Sequence, residues 1–274
     1  RISSNVASPP MLRKLRNIMA DLEIFQFPCL SDNYGVLLHD PETGSTASID
    51  APDGDAVAAA LAEKGWNLTE ILVTHHHWDH TQGIPQLVQQ TGCKVVGPAG
   101  EGANLSGLDT ALDNGDIYDF GGHQAKIIAS PGHTLGHICW WFEDDRLLFA
   151  GDTIFAMGCG RLLEGTPAQM WASLEKLRRL PRDTRIYCGH EYTQANAKFA
   201  LSVGPGNQAL KVRATAVDKY RAEGRATVPT TMALELETNP FLRPDSDEIQ
   251  KSVGLPGAPL GDVFAEVRKR KDNF

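Results

Sequence analysis

Apolar residues recur along this chain with periods that change from segment to segment, and the changes mark its elements. Residues 22–29 largely alternate, with Leu22, Ile24, Phe25 and Phe27 among polar neighbours, and predict a strand. Ser31-Asp32-Asn33 predicts a turn, residues 34–39 a second strand, Pro41-Glu42-Thr43-Gly44 a tight turn, and residues 45–49 a third strand. Residues 55–64 form an alanine-rich helical pattern stopped by Gly65. Ile71-Leu72-Val73 is a short apolar run that reads as a buried strand, residues 83–90 a helix ended by Gly92, and residues 94–96 a short strand. Residues 97–113, rich in glycine and small side chains, predict a loop. Further strands are predicted at 116–120, 125–129, 137–142 and 146–149, the last apolar throughout, as a central strand is.

A helix is expected at 167–180, with Pro167 at its first position, and a strand at 185–187. Beyond residue 190 strand signals vanish, and helices are expected at 192–202, 208–222, 231–236, 246–252 and 260–271. The order of elements predicts an α/β fold in which helices flank two packed sheets, an αββα sandwich, followed by a C-terminal helical domain. The expected boundaries are 1–20 for a basic extension, 21–190 for the sandwich and 191–274 for the helical part. Arg1, Arg13, Lys14 and Arg16, with no acid before Asp21, give residues 1–20 a transit-peptide flavour. An extension expected to be disordered fits them equally.

Chemistry concentrates where strands end. After 71–73 comes Thr74-His75-His76-His77-Trp78-Asp79-His80. In extended backbone His75 and His77 share a face while His76 points away. Asp79 and His80 follow where the chain turns, so four imidazole or carboxylate groups converge from six residues. That donor set suits zinc and other borderline divalent metals. Pro131-Gly132-His133, Gly151-Asp152 and Gly189-His190 repeat one arrangement: a strand, a glycine that permits close backbone approach, then a potential ligand. Singly each has a bland explanation; together they place donors along one edge of the sandwich. Asp50 reads equally as a turn cap or as a group that orients the histidine loop. His39 and His123 are expected to face solvent, and His76 and His137 to take supporting or core positions.

Composition narrows the function. A net charge of −8 disfavours non-specific nucleic-acid binding, so no nucleic-acid partner is expected. No run of about eighteen apolar residues occurs, so no membrane partner is expected. The five cysteines are odd in number, scattered and without a CxxC pair, which argues against a disulfide scaffold and fits a reducing, cytoplasmic setting. A mitochondrial matrix location would follow if residues 1–20 are a transit peptide. No phosphate-binding glycine loop and no G-x-S-x-G follows any strand.

T-H-H-H-W-D-H (74–80), P-G-H-T-L-G-H (131–137), G-D-T (151–153) and C-G-H-E-Y (188–192), in that order, resemble the metallo-β-lactamase superfamily. G-C-G-R-L-L-E-G (158–165), Asn239-Pro240-Phe241 and the basic run 267–272 resemble its glyoxalase II, or hydroxyacylglutathione hydrolase, family. The resemblance spans about residue 22 to the C-terminus. It implies that His75, His77 and His133 bind one metal, that Asp79, His80 and His190 bind a second, and that Asp152 bridges them. It implies two divalent cations, zinc foremost, with iron or manganese as further occupants. The implied reaction is hydrolysis of S-D-lactoylglutathione and related 2-hydroxyacyl thioesters, the last step of methylglyoxal detoxification, by a hydroxide shared between the cations. Asp79 is the implied proton relay, and Asp79 and Asp152 the catalytic carboxylates. Cys159 is expected to be a structural thiol.

From the residues alone, Arg268-Lys269-Arg270-Lys271 reads as a solvated basic helix end. The resemblance makes Arg268 and Lys271 a clamp for the glycyl carboxylate of glutathione, with Tyr192 and Arg161 as further substrate contacts. One departure is Leu163, where animal members of the family carry a tyrosine. The alternative is a mononuclear iron persulfide dioxygenase acting on glutathione persulfide. A non-enzymatic thiol- or metal-binding module is a third reading. A monomer is expected.

Overall fold

A computed structural model describes residues 21–102, 104–105 and 107–274; the basic extension read at 1–20 lies outside the described residues. The strands are β1 Glu23–Cys29, β2 Asn33–His39, β3 Thr46–Ile49, β4 Glu70–Leu72, β5 Lys94–Pro98, β6 Thr110–Leu112, β7 Ile117–Phe120, β8 His123–Ala129, β9 Ile138–Phe142, β10 Leu147–Phe149, β11 Ile154–Phe155, β12 Gly158–Cys159, β13 Arg185–Tyr187 and β14 Thr230–Thr231. The helices are α1 Gly54–Lys64, α2 Trp78–Thr81, α3 Ile84–Thr91, α4 Pro167–Leu177, α5 Thr193–Val203, α6 Gln208–Ala222, α7 Met232–Thr238, α8 Asp247–Val253 and α9 Leu260–Asp272.

One sheet runs β1 to β6 in sequence order, antiparallel through β3 and parallel from β3 to β6. The other runs β14-β13-β10-β9-β8-β7. Alternation along the strands explains why they stack. Val36, Leu38, Ile49, Leu72 and Val96 from the first sheet meet Phe120, Ile127, Trp140, Phe142 and Phe149 from the second in one buried cluster. The opposite faces pack on helices. Leu37, Ile71 and Val95 pack with Val57, Leu61 and Leu87 of α1 and α3. Cys139, Trp141, Leu148 and Ile186 pack with Met170, Leu174, Phe264 and Val267 of α4 and α9. The expected αββα order of layers follows from this inside–outside division. Burial of each large apolar side chain contributes about 1.5–3 kcal/mol.

Local signals set the helix ends. Asp53 accepts from the amides of Asp55 and Ala56 at the start of α1, and left-handed Gly65 ends it. Thr166 and Gln169 form a reciprocal capping box at α4.

Five differences from the sequence reading stand out. The segment predicted as a loop at 97–113 contains β6. Asp79 and His80 lie in the single turn of α2. The two-residue strands β11 and β12 pair as a hairpin, and β14 pairs with β13 although no strand was expected after residue 190. Strands of two or three residues leave too little periodicity to read. His123 is buried rather than solvent-facing, with its Nδ1 3.0 Å from an Asp145 carboxylate oxygen. Partnering by that carboxylate makes the burial tolerable.

Candidate metal centre and substrate cavity

The loops that follow β4, β8, β10 and β13 meet at one edge of the sandwich. His75 and His77 come from the first, His133 from the second, Asp152 from the third and His190 from the fourth. Donor atoms of His75, His77 and His133 lie within 4.8 Å of one another, and so do those of Asp79, His80 and His190. Asp152 stands between the two groups. Its Oδ1 is 3.3 Å from His80 Nε2, and its Oδ2 is 3.4 Å from His133 Nε2 and 3.3 Å from His190 Nε2. The seven residues singled out in the sequence are thus brought together.

Glycine is required at two of the strand ends. A Cβ on Gly189 would lie 2.6 Å from Asp152 Oδ1 and from His80 Cε1. Gly151 has φ +46°, and a Cβ there would lie 2.5 Å from Thr74 Oγ1.

Four of the imidazoles are held through Nδ1. His80 Nδ1 lies 2.8 Å from Asp50, His190 Nδ1 2.9 Å from Asp32, His133 Nδ1 2.9 Å from the Arg161 carbonyl, and His75 Nδ1 2.9 Å from Thr74 Oγ1. Asp50 also accepts from the Thr74 amide and hydroxyl, so the orienting role left open for it is the one its contacts match. Asn33 donates to both the carbonyl and the carboxylate of Asp79. The buried His137 accepts the Asp152 amide at Nε2, which puts its own proton on Nδ1, toward Ser130 Oγ. Asp32 and Asn33 read only as a turn in the sequence; their sole signal there is the pair of side chains itself.

Three inward-facing atoms lack a hydrogen bond. His75 Nε2, His133 Nε2 and Asp152 Oδ1 are buried, and no donor or acceptor completes a hydrogen bond to them. Buried polar atoms are rarely orphaned, and imidazole nitrogens with carboxylate oxygens are the donor set of zinc and its neighbours. The residues therefore fit divalent cations.

Electrostatics agree. Burial, then neighbouring imidazoles, holds His75 and His77 below the usual histidine range, so both offer neutral lone pairs. Burial opposes charge on His80 and His190 too, but Asp152 outweighs it, helped by Asp50 at His80 and Asp79 at His190; His190 is raised to about 10. Asp152 is held well below the carboxylate range, its burial offset by His80 and His190. Protons on these two imidazoles balance the carboxylates as cations would, so chelation there is an exchange of protons for metal.

A cavity of about 450 Å³ opens beside this cluster, lined by Phe155, Cys159, Arg161, Tyr192, Arg268 and Lys271 among others. The Tyr192 ring stacks on His190 with centroids 4.7 Å apart. Burial, then nearby carboxylates, raises the Tyr192 phenol, so it keeps its proton as a donor. Arg268 is buried rather than solvated: it donates to the Cys159 carbonyl at 3.0 Å and to Asp272 at 2.7 Å, and lies over Phe241. Its Nε is buried without a partner. Lys271 donates to the Ala195 carbonyl at 3.3 Å. The Cys159 thiol is buried and pushed up to about 11, the setting of a structural thiol. Leu163 is exposed.

Residues 35–190 match the metallo-beta-lactamase superfamily, and residues 191–274 match the hydroxyacylglutathione hydrolase C-terminus. A hydroxyacylglutathione hydrolase of Methylococcus capsulatus is 53% identical over 253 residues, 92% of this chain and 99% of the relative. That of Brucella ovis is 54% identical over 92% of this chain and 98% of the relative. Among solved structures, ETHE1 from Myxococcus xanthus superposes with a TM-score of 0.63 at 27% identity, covering 91% of this chain and 98% of that one.

Proposed function

This chain belongs to the metallo-beta-lactamase superfamily and, within it, to the hydroxyacylglutathione hydrolases, and from that premise we infer how its residues hydrolyse S-D-lactoylglutathione and related 2-hydroxyacyl thioesters. Water adds to the thioester carbonyl, the C–S bond breaks, and the products are a 2-hydroxy acid and glutathione. One observation carries the residue assignment: Asp152 lies within 3.4 Å of imidazoles from both three-residue groups, next to a cavity lined by Arg268 and Lys271.

In this reading His75, His77 and His133 would hold one divalent cation, and Asp79, His80 and His190 a second, with Asp152 within reach of both groups. Zinc is the proposed occupant, and iron or manganese suits the same donors. Divalent cations held by these residues would supply a lowered water pKa and polarisation of the thioester carbonyl. The protein does the rest. Asp50, Asp32 and Thr74 fix the imidazole rings so that Nε2 faces the centre. Asp79 Oδ2, 3.3 Å from His190 Nε2, is the proposed acceptor of the proton that attack releases. Arg268, Lys271, Arg161 and the Tyr192 hydroxyl take the glutathione moiety, the two basic side chains of α9 supplying charge for its glycyl carboxylate. The thiolate product needs little assistance, since a thiol pKa is about 8.5.

The test is loss of thioester absorbance with purified, metal-loaded protein, alongside metal content per chain. Two ions per chain with rapid thioester loss is the expected result. A fully loaded protein inert to the thioester would refute the reading. One iron per chain with oxygen consumption on glutathione persulfide would point to the dioxygenase instead.

A further inference from the structure

We propose that Glu101 is a positioning residue that locks the loop carrying His75 and His77 to the loop carrying His133, and so sets the affinity of that three-histidine group for its cation. The proposal rests on the ligand assignment made above. Glu101 ends the short 3₁₀ turn Ala99–Glu101 and is only 2% exposed. Its Oε1 accepts from Thr134 Oγ1 and, at 3.1 Å, from the Gly136 amide. Its Oε2 pairs with His76 Nδ1. One carboxylate therefore joins the residue between His75 and His77 to the residue after His133.

The backbone shows the same junction. A Cβ on Gly136 would lie 2.5 Å from the Gly100 carbonyl carbon, and one on Gly100 would lie 3.0 Å from Gly136 Cα, so the 3₁₀ turn and the second ligand loop pack main chain to main chain. A second carboxylate closes the ring. Glu164 lies 3.3 Å from His76 Nε2 and accepts the Leu135 amide at 2.9 Å. At the base the two loops are already pinned, by the Ile138 amide to the Thr74 carbonyl and by Trp140 Nε1 to the Val73 carbonyl, each at 3.0 Å. Glu101 supplies the pin at the rim.

The energetics favour a role that repays burial. A carboxylate removed from water is costly unless fully bonded, and here three donors satisfy it. None of its partners is a ligand nitrogen, so its action is on where the rings stand. The rings of His77 and His133, 4.6 Å apart, come from different loops, and their separation is set by whatever ties those loops together. Groups that orient ligands in this way change metal affinity about 10–100-fold when removed. Glutamine is the informative replacement. Its carbonyl still accepts from Thr134 and Gly136, and its amide donates to His76 in the opposite tautomer, which leaves Nε2–H to reach Glu164.

The experiment is zinc competition with a chromophoric chelator on the full chain, comparing wild type, Glu101→Ala, Glu101→Gln and Thr134→Val, with kcat and KM for the thioester measured on the same samples. Expected are a rise of about tenfold or more in one of the two zinc dissociation constants for Glu101→Ala and near-complete rescue in Glu101→Gln. KM should be unchanged, and kcat should recover as zinc is raised. Thr134→Val, which removes one donor at constant shape, should give an intermediate rise and keeps the test open if the alanine variant does not fold. Zinc constants unchanged in both Glu101→Ala and Thr134→Val, equal losses in Ala and Gln, or an effect on KM alone would each overturn the proposal. Wild-type zinc content retained in His75→Ala would overturn the ligand assignment beneath it, and the proposal with it.

Discussion

Glu235→Ala should destabilise the fold by about 3–5 kcal/mol and at the same time loosen one wall of the thioester cavity. Glu235 is fully buried in α7. Its Oε1 accepts from Arg213 at 2.5 Å and Thr230 at 2.6 Å, and its Oε2 from the Met157 amide at 2.8 Å and Asn239 at 2.9 Å. Arg213 is itself nearly buried, so truncating Glu235 leaves a desolvated guanidinium without its counter-charge, and that sets the magnitude. The hydroxyl and amide losses add little. Arg213 still reaches Thr230 and Thr238, and Asn239 still reaches the carbonyls of Phe155 and Gly158. Met157, at φ +55° in the turn between β11 and β12, loses its side-chain acceptor, and that hairpin carries the Cys159 carbonyl that holds Arg268.

A fall in the thermal midpoint of about 6–20 °C follows, taking roughly 2–4 °C per kcal/mol for a chain of this order of size. Glu235→Gln, which keeps the shape and one acceptor oxygen for Arg213 and Thr230 but loses the charge and the second acceptor, should cost less than the alanine variant, about 1–3 kcal/mol. Urea unfolding at constant m-value measures the first effect, and KM for the thioester the second. A loss under about 1 kcal/mol for Glu235→Ala, or no difference between the alanine and glutamine variants, would refute the reasoning.

Other outcomes follow from the same contacts. Asp152→Ala should reduce both metal content and rate, the rate by at least about two orders of magnitude; normal metal content would contradict its shared position. Arg268→Ala combined with Lys271→Ala should raise KM about tenfold or more with kcat nearly constant, since these groups act on ground and transition states alike. The five cysteines are buried, so a thiol reagent at pH 8 should leave the native protein unlabelled and titrate five groups in denaturant; rapid native labelling at Cys159, raised to about 11, would count against its assignment as inert. His80 and His190 have raised pKa values in the folded protein, so their contribution is complete below the unfolded value of about 6.5 and is lost as pH rises through the folded value, about 10 for His190. Metal-stripped protein should therefore lose more midpoint than metal-loaded protein between pH 6.5 and 10, and zinc binding at neutral pH should release protons, measurable by calorimetry in buffers of different ionisation enthalpy.

What the chain's linear order decided is local. The nearly continuous apolar runs at 34–39 and 138–142 are buried on both faces, and the alternation of a strand sends their successive side chains to the other sheet and to the helices, which decided the layers. Strand, glycine and ligand occur within a few consecutive residues, so the donors of both three-residue groups were legible one loop at a time, and the glycines at 151 and 189 are where a Cβ has no room. The tertiary structure decided what depends on distant pairs. Two-residue strands such as β14 exist only because a neighbour supplies their hydrogen bonds, so no periodicity announces them. His123 is buried because Asp145 reaches it, and Arg268 lines the cavity as a buried side chain rather than standing in water because the Cys159 carbonyl and Asp272 accept from it. Asp32 and Glu101 act on imidazole loops far from them in sequence. A carboxylate's role is fixed by its partners in space, and side chains that carry no period of their own leave no trace of those partners until the chain has closed on itself.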